Sequence, residues 1–175
     1  QLFESGITPT VFEVDRESWL ARIHDALEDD RFVLLAQPIV DLRTGATAQH
    51  ELLLRLRDPD GSLIAPLAFL PTAERCGLIG AIDQWVISRS AQLARLGQRV
   101  AVNLSAVSAG DPMVLDRIEQ EFGRHDVDPG MIVFEITETA VMQNLDRGML
   151  FAERMVALGC RFALDDFGTG FASFT

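Results

Sequence analysis

Four apolar runs in this chain carry an acid or an amide where a buried strand would carry another aliphatic residue: HELLLRL at 50–56, VNLS at 102–105, FEITET at 134–139 and LDDFGTG at 164–170. The polar groups are Glu51, Asn103, Glu135 and Asp165. A strand turns successive side chains to opposite faces, so each run can be sorted. Glu51, Leu53 and Arg55 share one face while Leu52, Leu54 and Leu56 share the other; Ala101, Asn103 and Ser105 oppose Val102 and Leu104. Val133, Glu135 and Thr137 oppose Phe134 and Ile136, and Ala163 with Asp165 opposes Phe162 and Leu164. Each strand thus has an apolar face for helices and a second face of small and acidic groups. An open doubly wound sheet carries helices on both faces and should be apolar on both. A barrel interior, with its acids toward the carboxyl ends of the strands, fits better.

Gathering such acids costs on the order of several kcal/mol per buried ion unless a cation compensates them. The candidate ligands are carboxylate and amide oxygens, with no His or Cys among them. That donor set suits Mg²⁺, Mn²⁺ or Ca²⁺ and disfavours Zn²⁺. Divalent cations held this way are suited to phosphate chemistry.

The segments between the runs read as helices. Residues 1–15 mix Gly, Pro and Thr without a helical period and read as a linker, and a helix begins at Arg16 with Trp19, Leu20, Ile23 and Leu27 on one stripe. FVLLAQPIVDL at 32–42, an RTG turn and TAQHELLLRLR at 47–57 form an antiparallel hairpin. Helices then span 66–77 and 81–97, stopped by Gly77 and Gly97, and VAVNLSA at 100–106 is a strand. A helix opened by Asp111 and Pro112, a strand over 131–139, a helix closed by Gly159 and a strand over 161–168 complete the alternation. This rhythm is that of parallel βα units in an α/β fold.

Nearly half of the 175 residues are hydrophobic, enough for a real core. The formal charge of −11 and the lack of a Lys/Arg cluster argue against binding a nucleic acid polymer or an anionic membrane, although bound cations can reverse the sign locally. No apolar stretch approaches the length of a membrane span. Cys76 and Cys160 lack metal-ligand spacing and read as idle thiols of a cytoplasmic protein.

In order along the chain, QPI (37–39), E-x-L-x-R (Glu51, Leu53, Arg55), AERCGLI (73–79), DQW (83–85), NLS (103–105), EITET (135–139) and DDFGTG (165–170) closely resemble the EAL domain of bacterial cyclic di-GMP phosphodiesterases. The resemblance runs from about Phe32 to Thr175. It implies a modified TIM (β/α)8 barrel whose first strand is antiparallel to the rest. It also implies hydrolysis of cyclic di-GMP to linear pGpG with two Mg²⁺ or Mn²⁺ ions. By resemblance Glu51, Asn103, Glu135 and Asp165 are ligands of the first metal, with Asp165 bridging toward a second ion held by Asp166. Gln37 and Arg55 are substrate contacts, and Arg55 shares the face of Glu51 with a guanidinium suited to phosphate. Glu51 and Glu138 are catalytic residues by the same resemblance, Glu138 through steadying a loop. Thr169 orders that region, while Gly168 and Gly170 permit a tight turn. Leu52 stands at the middle position of the EAL signature and Ala36 where an aromatic often precedes QPI. Leu52 faces the helices and so alters packing rather than ligands.

A full barrel of this kind takes about 250 residues, so residues 16–175 are expected to be the N-terminal two-thirds of such a domain, with about five strands. The family's remaining strands carry a lysine, a water-activating acid and a further glutamine and glutamate of the site, so the 175-residue chain is expected to be inactive alone. The parent protein is expected to carry an N-terminal regulatory domain. The alternative reading is a cyclic di-GMP sensor or interaction module without catalysis. A bare fifth strand would be a pairing edge, which leads us to expect a homodimer or a swapped assembly; light scattering of the chain is expected to exceed the monomer mass, and a dilute monomer would contradict this.

Overall fold

The computed structural model describes residues 11–109, 111–137 and 145–165. The first helix, α1 (Val11–Glu28), begins ahead of Arg16, because VFEVD contains no Gly or Pro to stop it. Its buried stripe includes Ile23 and Ala26 with Trp19 and Leu27 partly covered, while Leu20 turns outward at 38% exposure.

Strands β1 (Phe32–Val40) and β2 (Thr47–Arg57) form the expected antiparallel hairpin, in register from Phe32 opposite Leu56 to Gln37 opposite Glu51. The turn is set by Asp41, whose Oδ1 accepts the backbone N–H groups of Arg43 at 2.8 Å and Thr44 at 3.2 Å. A two-residue strand the sequence reading lacked, β3 (Leu63–Ile64), pairs with the end of β2. Then come α2 (Pro66–Arg75), α3 (Ile79–Arg95), β4 (Val100–Asn103) and a short α4 (Ala106–Ala109). Gly77 follows α2 at φ +72°, a left-handed conformation that lets the chain reverse into α3. Helix α5 (Pro112–His125) starts as expected, with Asp111 accepting from the Met113 N–H at 2.9 Å. A single 3₁₀ turn, Pro129–Met131, leads into β5 (Ile132–Thr137), and α6 (Leu145–Ala157) leads into β6 (Arg161–Asp165).

The sheet runs β1-β2-β4-β5-β6, with β3 beside β2. β2, β4, β5 and β6 are mutually parallel and β1 is antiparallel, the partial barrel architecture expected from the alternation. Paired residues point to the same face, and the apolar rows line up as Ala36–Leu52–Val102–Phe134–Phe162. Leu52, Leu56, Val102, Phe134 and Ile136 are buried there against Ile82, Ile87, Ile118 and Phe151 of the helices.

The β4 strand ends earlier than expected. Asn103 is its last residue, and Ser105 leaves the inner face because α3 captures it, as described below. Among the described residues Cys76 and Cys160 are free, and burial pushes the Cys160 thiol up to about 12. Among the same residues no helix is long and apolar enough to cross a membrane.

Phe134→Ala removes a fully buried ring and is expected to cost about 3–5 kcal/mol in urea unfolding. Leu42→Ala, at a residue 98% exposed, is expected to change stability by less than about 0.5 kcal/mol.

Candidate functional site

The second face of the sheet collects the polar residues. Gln37 on β1 lies directly opposite Glu51 on β2, so their side chains point to one side at adjacent positions. Glu51 pairs with Ala101 of β4, and Asn103, two residues on, shares that face. Asn103 Nδ2 donates to Glu51 Oε1 at 3.1 Å. Asn103 in turn registers with Glu135 of β5, and Thr137 of β5 registers with Asp165 of β6. One face of four parallel strands therefore presents Glu51, midway along β2, and Asn103, Glu135 and Asp165, toward the carboxyl ends of β4, β5 and β6, in a rising staircase, as the stagger of barrel strands produces.

The charges feel one another. Glu135 is half-buried, and burial, followed by the negative charges of Glu51 and Asp165, pushes its carboxyl above the ordinary glutamate range. Three carboxylates and one carboxamide converging this way have the donor chemistry of a hard divalent cation, which would offset their repulsion. As the side chains stand, no group of three or more His, Cys, Asp or Glu among the described residues is gathered tightly enough to hold an ion. Their electrostatic coupling, the Asn103–Glu51 bond and the oxygen-only donor set nevertheless fit such an ion.

Arg55 stands two steps further along the same face of β2. Its Nη1 donates to the Leu54 carbonyl at 2.6 Å, and among the described residues no carboxylate pairs with it. It borders a cavity of about 560 Å³ that runs from the ends of β2 and β4 to α2 and α3. Leu52, Leu70, Ile79, Ile82 and Val86 form its apolar walls, and Arg55, Glu74, Asp83, Asn103, Ser105 and Thr137 supply its polar atoms. Such a mixture suits a flat, partly polar ring system next to an anion.

Glu138 and Asp166 lie outside the described residues, as do Gly168, Thr169 and Gly170. Asp83 and Ser105 are the residues whose part at the site sequence reasoning missed. The signal was present: Asp83 falls on the α3 stripe shared by Ile79, Ile82 and Val86, and a carboxylate on an apolar stripe requires a partner.

The sequence profile described as EAL domain matches residues 20–175. Cyclic di-GMP phosphodiesterase PdeF of Escherichia coli (strain K12) is 34% identical over 166 residues, covering 91% of this chain and 22% of that protein. The chain therefore spans about a fifth of that relative's length. Among solved structures, the PaMucR phosphodiesterase in a c-di-GMP complex superposes with a TM-score of 0.83 at 34% identity, covering 89% of this chain and 66% of that one. The FimX EAL domain from Pseudomonas aeruginosa bound to c-di-GMP gives a TM-score of 0.83 at 32% identity, covering 87% of this chain and 64% of that one.

The raised Glu135 carboxyl has a signed consequence. The folded chain holds that proton more tightly than the unfolded chain, so its contribution favours folding at acid pH and is lost as the pH rises through the raised value. In urea unfolding with EDTA across a pH series, wild type is expected to lose stability as the pH rises out of the ordinary glutamate range. Glu135→Gln is expected to lose less, and identical slopes would show that the Glu135 carboxyl is not raised in the folded chain.

Proposed function

The chain belongs to the EAL domain family, and on that footing we propose that the domain hydrolyses cyclic di-GMP to linear pGpG. The observation that carries this reading is the alignment of Glu51, Asn103, Glu135 and Asp165 on one face of the sheet, beside a cavity that opens on Arg55. These four residues would hold the first of two Mg²⁺ or Mn²⁺ ions, and Asp165 with Asp166 the second. When bound, such ions supply Lewis acidity toward the phosphodiester and compensate the negative charge of both site and substrate.

The chain's own residues do the rest. Arg55 shares the face of Glu51 and has no carboxylate partner among the described residues, which leaves its guanidinium for a phosphate oxygen. Gln37, opposite Glu51, offers an amide to the same ligand. The apolar walls toward α2 and α3 would take a guanine ring out of water. In the hydrolysis one water adds to phosphorus, one P–O bond to a ribose oxygen breaks, and a proton of the water ends on that oxygen. Glu51 acts as ligand and catalytic residue, and Glu138 acts on the order of the neighbouring loop. The reading also includes a cytoplasmic setting and a homodimer.

The test is reverse-phase chromatography of cyclic di-GMP incubated with the full-length protein and Mn²⁺. Formation of pGpG is expected, abolished by EDTA and reduced at least about 100-fold by Glu51→Gln, as for loss of a metal ligand. Calorimetric binding of cyclic di-GMP that leaves the ligand intact would replace the enzyme with a sensor. Neither binding nor turnover would remove both.

A further inference from the structure

Asp83 lies outside the proposed ligand set and is only 5% exposed, on the apolar side of α3. Its Oδ2 accepts two hydrogen bonds from a single residue, the Ser105 hydroxyl at 2.6 Å and the Ser105 backbone N–H at 3.2 Å. Ser105 then starts α4: its Oγ accepts from the Ser108 N–H at 3.1 Å and its carbonyl from the Ala109 N–H at 3.0 Å. On the other side, the Leu104 N–H donates to the Glu135 carbonyl at 2.9 Å. The peptide turn that follows Asn103 is therefore clamped between the β5 backbone and the Asp83 carboxylate.

A carboxylate is an expensive choice for that clamp. Burial pushes the Asp83 carboxyl above the ordinary aspartate range, the Ser105 hydroxyl bond works against that, and among the described residues no cation pairs with Asp83. A buried carboxyl group without a cation is retained where the hydrogen bonds it makes are needed. Two bonds from one residue fix both a side chain and a peptide plane, and the inward-facing side chain just before that turn is Asn103.

We propose that Asp83 is a positioning residue that, through Ser105, fixes the turn carrying Asn103 so that the Asn103 amide meets Glu51 in the ligand set. The role presupposes that Asn103 is a metal ligand, and the test separates the two ideas. Mn²⁺ affinity is measured by calorimetry on the full-length protein, together with kcat and KM for cyclic di-GMP. Asp83→Ala is expected to weaken Mn²⁺ binding and kcat by about 10–100-fold, the usual cost of removing a residue that orients a ligand, with KM nearly unchanged. Asp83→Asn, which keeps an acceptor oxygen, is expected to restore most of the loss. In an Asn103→Ala background Asp83→Ala is expected to add nothing, since its effect passes through Asn103. If Asp83→Ala fails to fold, Ser105→Ala is read instead and is expected to give a smaller loss in the same direction.

Additive losses would overturn the proposal. So would a raised KM with Mn²⁺ affinity intact, which would make Asp83 a direct contact of the ligand in the cavity. If Asn103→Ala weakens Mn²⁺ binding while Asp83→Ala does not, the positioning role alone fails. If Asn103→Ala leaves Mn²⁺ affinity unchanged, the ligand reading fails and takes the positioning role with it.

Discussion

Like charges brought together in a partly buried place repel, and this sheet brings Glu51, Glu135 and Asp165 within reach of one another by its register. The rest of the arrangement accommodates that constraint. Paired residues on parallel strands face the same way, so the sheet cannot bury Leu52, Val102, Phe134 and Phe162 against helices without also aligning the acids on the opposite side. The same register that makes the core makes the acidic end.

The helices do more than cover the apolar face. Helix α3 carries Asp83 to the end of β4, and Trp85 and Arg89 of the same helix both bond the Asp30 carboxylate that follows α1. Those contacts, with the Arg89 pair first, hold the Asp30 carboxyl below the ordinary aspartate range. Phe32 packs on the Trp85 ring at 5.7 Å and on Phe69 of α2 at 5.8 Å. One helix thus anchors the first strand at one point and the turn after the third long strand at another.

What could be read from the sequence was what is local. Alternation along HELLLRL and FEITET sorts the faces without knowledge of neighbours, and Asp111-Pro112 announces a helix start through bonds within a few residues. The hairpin was legible because Asp41 and Gly45 build its turn. Less legible were features that depend on distant partners. Ser105 looked like one more inward strand residue, and only the approach of Asp83 from a helix 22 residues earlier pulls it out of the strand. β3 is two residues long and exists because β2 offers it an edge, which no local pattern announces. The start of α1 at Val11 was missed because a linker was read where only Gly6 and Pro9 break the chain. Family resemblance named the ligand set, and the alternation argument independently placed its members on one face.

The proposed chemistry requires that Glu51, Asn103, Glu135 and Asp165 share one cation. Anomalous diffraction from crystals of the full-length protein grown with Mn²⁺ tests it most directly. An anomalous peak bounded by oxygens of these four side chains is expected, at the roughly 2.0–2.6 Å distances of hard divalent ions. Well-ordered density for the four side chains with no peak between them, or a peak at a different set of residues, would contradict it.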